Sequence, residues 1–230
     1  TLILSQLFNP MRENGHSLSA WGDKLAFPKM EFEDYSLYTE EMLEYCKNDV
    51  ELTELVYNKL SQEGSKFSKY SIDMEHKVRA IIDQQESNGF ALDVRKAIGL
   101  LSRLSDEAQD LEAWSRVTFN PTVVELKTKT KYIPFNIASR QQIADRLMEL
   151  GWKPKHFTDK GNVIVSEEIL NKINMDEAKK FARFFLLQKR IAQIQSWINA
   201  YDDDTERVHG RVLTLKTITG RMAHYSPNMA

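Results

Sequence analysis

Cysteine is all but missing from this 230-residue chain, in which Cys46 stands alone. A single thiol excludes an intramolecular disulfide framework and a cysteine-rich zinc site, and it suits a reducing compartment. No apolar run approaches the roughly 20 residues needed to cross a bilayer, and nothing at the N-terminus has the make-up of a signal peptide. A soluble, cytoplasmic protein is therefore expected. An excess of one charge is lacking too: 31 Lys and Arg meet 33 Asp and Glu, for a net charge of −2. Overall charge thus argues nothing for a polyanionic partner, which local basic patches would have to meet. No internal repeat is visible.

What is present is enough to fold. The chain is 42% hydrophobic and 10% aromatic, so it can bury a core and does not have the composition of a disordered segment. Its length suits one large or two small domains. It opens directly on Leu2-Ile3-Leu4 and closes just after Ser226-Pro227-Asn228-Met229. A piece cut from something longer is expected from those two ends.

Local signals divide the chain into helices and turns. Thr39 ahead of Glu40 and Glu41 predicts a helix start, with Met42, Leu43, Cys46, Val50 and Leu60 as its apolar stripe. The polar stretch from Ser61 to Tyr70 reads as a boundary. A helix over about 73–87 ends at Asn88-Gly89, and Phe90-Ala91-Leu92 reads as a short strand. Leu101, Leu104, Ala108, Leu111 and Trp114 recur every three or four residues, the spacing of an amphipathic helix. Ser139 with Gln142 makes a Ser-x-x-Gln capping box for a helix that stops at Gly151. Asp159-Lys160-Gly161 reads as a turn, Ser166 caps a short helix, and Asp176 caps a long one running to about Ala200. Asp202-Asp203-Asp204 reads as a loop, and His209 to Thr219 alternates like a strand or hairpin. The fold class that follows is α+β, predominantly helical.

Three constellations could carry chemistry. Tyr45 and Asp49 lie four apart, so phenol and carboxylate share one helical face. Metal-assisted phosphodiester hydrolysis uses such a pair, the carboxylate holding a hard divalent cation and the phenol orienting the attacking water. Taken alone, the same spacing fits a tyrosine and a surface aspartate on any amphipathic helix. From Val124 to Tyr132, Lys127, Lys129 and Lys131 alternate with Leu126, Thr128 and Thr130. In an extended strand they would share one face at about 6.6 Å spacing. That is close to the phosphate repeat of a nucleic-acid backbone, and equally compatible with an edge strand that lysines keep from aggregating. The last constellation is the segment from Thr219 to Ala230, in which a glycine precedes an arginine and Arg221, His224 and Asn228 can all donate to phosphate or base-edge acceptors.

The pattern Thr219-Gly220-Arg221-x-x-His224-x-x-Pro227-Asn228-x-Ala230 closely resembles the first polymerase-domain motif of family A (polymerase I) DNA polymerases, in its short-tailed-phage replicative form. Upstream, Phe135-Asn136-x-x-Ser139-Arg140-x-Gln142-Ile143 is similar to the thumb motif of that family. Gly151-Trp152-x-Pro154, Thr158-Asp159-Lys160-Gly161 and Gln188-Lys189-Arg190-Ile191 follow the phage pattern. Tyr45-x-x-x-Asp49 falls where the last proofreading-exonuclease motif of the family lies, and His16-Ser17-Leu18-x-x-Trp21-Gly22 resembles the segment before it. The resemblance covers nearly the whole chain in collinear order.

It implies an internal fragment in three parts. Residues 1–68 would be the C-terminal part of an RNase H-like proofreading exonuclease, 69–208 the polymerase thumb, and 209–230 the start of the palm. The function implied for the parent is template-directed DNA synthesis in phage replication with 3′–5′ proofreading, on primer–template DNA and deoxynucleoside triphosphates. Tyr45 and Asp49 would be catalytic, with Asp49 a Mg2+ ligand. Arg221, His224, Asn228, Ser139, Arg140, Lys189, Arg190, Lys127, Lys129 and Lys131 would bind DNA. The resemblance also implies two-metal Mg2+ sites in the parent, of which only Asp49 is present, so the chain alone is expected to catalyse neither reaction. About twenty residues separate Trp114 from Phe135, too few for the insertion with which some phage relatives recruit host thioredoxin. No thioredoxin clamp, no membrane, a monomeric state and the host cytoplasm are expected. A sheet missing its early strands would leave Leu2 to Leu4 as an exposed apolar edge. Two other functions fit parts of the pattern: a stand-alone metal-dependent exonuclease, and a non-catalytic helical DNA-binding or scaffold protein.

Overall fold

A computed structural model describes residues 1–125 and 130–229. In chain order its elements are α1 (Leu2–Phe8), α2 (Leu18–Leu25), α3 (Glu40–Glu63), a 3-10 turn (Gly64–Lys66), α4 (Lys69–Asn88), β1 (Phe90–Ala91), α5 (Val94–Thr118), β2 (Thr122–Glu125), β3 (Thr130–Ile133), α6 (Arg140–Glu149), α7 (Glu167–Asn171), α8 (Asp176–Asn199), β4 (Tyr201–Asp202), β5 (Arg207–Val208), β6 (Arg211–Leu213) and β7 (Ala223–Tyr225). The architecture is helix-rich α+β. The chain forms two compact units, one of residues 1–90 with 209–230 and the other of residues 91–208.

In the first unit, α1, α2 and α3 enclose Leu4, Trp21, Leu52, Val56 and Leu60. Leu52, Val56 and Leu60 recur every four residues and so face the core from one side of α3. The apolar stripe of α3 does not run through Val50 as expected: Val50 is 68% exposed, because the inward face of α3 begins two residues later. Leu2 to Leu4 likewise open a helix and not a sheet edge, since a helix sends Leu4 into the cluster. Below it runs a buried polar chain. Trp21 Nε1 donates to Ser5 Oγ at 3.1 Å, and Ser5 Oγ lies 2.9 Å from His16 Nδ1. Arg12 stacks over the Trp21 ring at 4.4 Å and pairs with Glu63 at 2.9 Å, an arrangement that lets a cation be buried.

The second unit is built on α5 packed along α8, with α6 and α7 closing the core. Phe181 is its centre, fully buried, with the rings of Trp114, Phe119 and Phe135 at 5.8, 5.6 and 5.9 Å. Glu107 on α5 takes a two-pronged pair from Arg183 on α8, at 2.6 and 2.7 Å. β2 and β3 pair antiparallel with Thr122 opposite Ile133 and Glu125 opposite Thr130. Val124 and Glu125 therefore lie on one strand and Thr130 to Tyr132 on its antiparallel partner, not on the single strand expected, and residues 126–129 lie outside the described residues.

Local signals account for most element ends. Thr39, Ser139 and Ser166 accept the backbone N–H three residues on, as caps. Gln142 does not complete the expected capping box: its Oε1 takes the Asn136 N–H at 2.7 Å. Asp176 is the first helical residue of α8, and Met175 occupies the cap position. Gly89 closes α4 at φ 64°, a conformation only glycine takes freely.

Candidate functional site

Tyr45 and Asp49 stand one turn apart on α3, both half-buried, as their spacing predicts. A third group joins them. Lys29, in the loop after α2, donates to Tyr45 Oη at 2.9 Å and sits 3.5 Å from Asp49 Oδ1. Its ammonium also lies 4.4 Å from the centre of the Tyr45 ring. The Asp49 contact is an ion pair at the edge of hydrogen-bond range, and Oδ1 has no well-formed hydrogen bond although it is buried. The Tyr45 hydrogen bond, followed by the Asp49 charge, holds the Lys29 ammonium above the ordinary lysine pKa. Phe32 and Tyr35 pack on the other side of Tyr45, at 5.5 and 6.0 Å between ring centres. The Tyr35 phenol is raised above its usual value, first by a hydrogen bond with Tyr45.

Whether these groups suit a divalent cation can be tested on their chemistry. Mg2+ seeks a set of oxygen ligands, and two-metal hydrolysis needs carboxylates that two ions can share. Asp49 already faces a lysine. Among the described residues no three His, Cys, Asp or Glu side chains are grouped to hold a metal. These residues do not by themselves fit a magnesium centre.

The terminal motif lies on and beyond the β6–β7 hairpin, which pairs Arg211 with Tyr225, Val212 with His224 and Leu213 with Ala223. A tight turn precedes β7: Gly220 N–H reaches Thr217 O at 2.9 Å, and Arg221 N–H reaches Thr217 Oγ1 at 2.8 Å. Gly220 has φ +73°, so this turn favours glycine at that position. Arg221, His224 and Asn228 are all exposed, whereas Pro227 is buried. Met229 and the Pro227 carbonyl back onto Gly210, where an added Cβ would meet Met229 Cγ at 2.7 Å.

In the second unit, Ser139 caps α6 and Arg140 lies over the Phe185 ring of α8 at 5.8 Å. Lys189 is exposed one turn beyond Phe185 on α8. Arg190 is exposed and donates to Gln193 at 2.9 Å. Lys131 is exposed on β3, opposite Val124. Lys127 and Lys129 lie outside the described residues.

Sequence reasoning missed Lys29, because a loop lysine sixteen positions before Tyr45 carries no periodic signal. The phenol–carboxylate pair was visible; the cation that fills the gap between them was not.

The family model "DNA polymerase family A" matches residues 107–230. The chain is 24% identical to a DNA-directed DNA polymerase of Enterobacteria phage T3 and 23% identical to that of Escherichia phage T7. Each match covers 95% of this chain and 46% of the relative, so the chain spans about half the length of the curated relatives it matches. Each runs over 321 residues, so the relatives carry segments that this chain lacks. Among solved structures, the POL domain of Pol1 from M. smegmatis, in complex with DNA primer-template and dNTP, superposes with a TM-score of 0.76. That match has 15% identity and covers 99% of this chain and 37% of that one.

Proposed function

Since the chain belongs to DNA polymerase family A, we propose that it is the part of a phage replicative polymerase that grips primer–template DNA during template-directed synthesis. The observation that carries this is the terminal hairpin. It carries Arg221 just after its β-turn and His224 on β7, with Asn228 just beyond, inside the stretch matched by the family model. Arg221 and Asn228 hold the primer–template near its growing end. Ser139, Arg140, Lys189, Arg190, Lys127, Lys129 and Lys131 take phosphates, which position a duplex without reading its sequence.

Residues 1–68 serve as the C-terminal part of an RNase H-like proofreading exonuclease, 69–208 as thumb and 209–230 as the entry to the palm. Tyr45 and Asp49 belong to the proofreading centre, with Asp49 one ligand of a Mg2+ set that this chain does not complete. The substrates are primer–template and deoxynucleoside triphosphates, the working state is a monomer without a thioredoxin clamp, and the setting is the host cytoplasm. Among the described residues no helix is long and apolar enough to cross a membrane.

The terminal motif separates this function from a stand-alone exonuclease, which has no use for it. Arg221→Ala tests it. Primer–template binding, followed by fluorescence anisotropy, should weaken, and the dependence of log K on log[salt] should lose about 0.9 of its slope, the share of one phosphate. Binding and slope equal to those of the unaltered chain would sink the proposal.

A further inference from the structure

Two charged side chains of α4 treat β6 as a neighbouring strand would. Glu86 Oε1 accepts the Val212 N–H at 2.6 Å, and Arg79 Nη1 donates to the Val212 carbonyl at 2.9 Å. The two side chains are joined to each other, Arg79 Nη2 to Glu86 Oε2 at 3.0 Å, and Asp83 takes a further Arg79 hydrogen. His209 Nδ1 lies 3.0 Å from the main-chain carbonyl of Glu86. Arg79 and Glu86 are seven residues apart, two turns along one face of α4. Val212 is buried and the Glu86 side chain is 18% exposed, so this carboxylate works largely out of water.

The geometry of a β-strand gives these bonds their meaning. The N–H and C=O of one residue point to the same edge. In an antiparallel ladder, residues alternate between pairs that exchange hydrogen bonds and pairs that do not. Val212 is paired with His224 yet spends both backbone groups on α4, so it is a non-bonded pair, flanked by the Arg211–Tyr225 and Leu213–Ala223 pairs. Both edges of β6 are therefore engaged: α4 holds one at Val212, and the strand that carries His224 and follows Arg221 holds the other through the flanking Arg211 and Leu213 pairs.

We propose that Arg79 and Glu86 are positioning residues for the DNA-gripping motif, fixing β6 and hence the placement of Arg221 and His224 on the primer–template backbone. This rests on the gripping function proposed above. A carboxylate is required at position 86 because it must accept from two donors, the Val212 N–H and the Arg79 guanidinium. Glutamine has nearly the same shape, but its amide nitrogen would meet one donor with another.

The test measures binding of a primer–template duplex by the full chain over about 50–200 mM salt. Glu86→Gln should weaken Kd about tenfold, equal to about 1.4 kcal/mol. It should also flatten the salt slope by about 0.9, as Arg221→Ala does. The double variant should bind within about twofold of Arg221→Ala alone, since both changes remove the same contact. A loss of folded protein lowers the amplitude and leaves the slope of the folded fraction unchanged, so the slope separates positioning from bulk stability. Arg79→Gln leaves the Val212–Glu86 bond in place and decides the matter should Glu86→Gln fail to fold. Unchanged Kd and slope in Arg79→Gln and in any Glu86→Gln that folds, while Arg221→Ala weakens binding, would overturn the clamp. If Arg221→Ala has no effect, the gripping function falls first and the clamp with it.

Discussion

Replacing Gly22 by alanine sets two well-measured effects against each other. Gly22 lies within α2, where alanine is worth roughly 0.5–1 kcal/mol more than glycine on propensity alone. By that reckoning Gly22→Ala should stabilise the protein. The structure gives the opposite sign. A Cβ at position 22 would stand 2.7 Å from the Phe27 carbonyl oxygen, 3.1 Å from the Lys29 nitrogen and 3.3 Å from Leu52 Cδ2. Two of these are backbone atoms, which cannot rotate aside. Overpacking of this kind costs about 1–3 kcal/mol, so the net change is a loss of up to about 2.5 kcal/mol. For a unit of roughly a hundred residues that is a fall of up to about 10 °C in Tm. The strain has a direction: it pushes the loop that seats Lys29 against Tyr45 and Asp49. Calorimetry reads the first effect, and hydrogen exchange reads the second at Phe27, whose N–H bonds Gly22 O at 3.0 Å, and at Met30, whose N–H bonds Asn48 Oδ1 at 3.0 Å. Faster exchange at both amides with a lower Tm is expected. A Tm equal to or above that of the unaltered chain would refute the reasoning, because propensity would then have outweighed the contacts.

In the chain from Trp21 through Ser5 to His16, Ser5 Oγ accepts from Trp21 Nε1 and can give its own hydrogen to His16 when Nδ1 is unprotonated. Burial lowers the His16 pKa below 6.5, opposed by a hydrogen bond to the Pro10 backbone and helped by the nearby Arg12 charge. A depressed pKa contributes stability that is complete above 6.5 and is lost as pH falls through the folded value. An NMR titration midpoint for His16 below 6.5, with Tm falling under acid, is expected; a midpoint at or above 6.5 would remove the basis for it. In the second unit, Phe181→Ala deletes the ring that Trp114, Phe119 and Phe135 surround. A loss of about 3–5 kcal/mol is expected for an aromatic truncated at such a site. Urea unfolding measures it, and a loss under about 1 kcal/mol would mean the site collapses without cost.

What could be read from the sequence is what neighbours within four residues decide. Thr39, Ser139 and Ser166 cap because their side-chain oxygens reach the N–H three residues on, and Gly89 and Gly220 adopt positive φ because they lack a Cβ. The Tyr45–Asp49 pair was visible for the same reason, being one helical turn. What stayed hidden depends on distant partners. Val50 and Leu52 are both apolar positions of α3, and only the placement of Trp21 and Leu4 decides which is buried. The alternation from Val124 to Tyr132 fits one long strand as well as two short ones, and strand pairing decides between them. Lys29 and the Arg79–Glu86 pair act through separations of 16 to 133 residues, beyond the reach of any periodicity. The family motif supplied at the terminal segment what local physics could not.

The unit that holds both constellations is discontinuous: the chain leaves it after Phe90 and returns at His209. Returning through so long a stretch is not prohibitive, because closure entropy grows only with the logarithm of length, about 0.6 kcal/mol for each doubling. Yet proximity in sequence does nothing to fix where β6 lands. A two-stranded hairpin is marginal by itself in water, and β6 and β7 have three residues each. Their placement must therefore come from bonds to something rigid, and α4, 20 residues long, offers both charges of the clamp from one face. Hydrogen bonds to charged groups contribute about 1.5–3 kcal/mol each when partly buried, more than a single closure doubling removes. The same bonds that tie the returning chain into its unit thereby set the orientation of the segment bearing Arg221. Stability of that unit and grip on a nucleic-acid end should accordingly fall together when Glu86 is changed, and separately when Arg221 is.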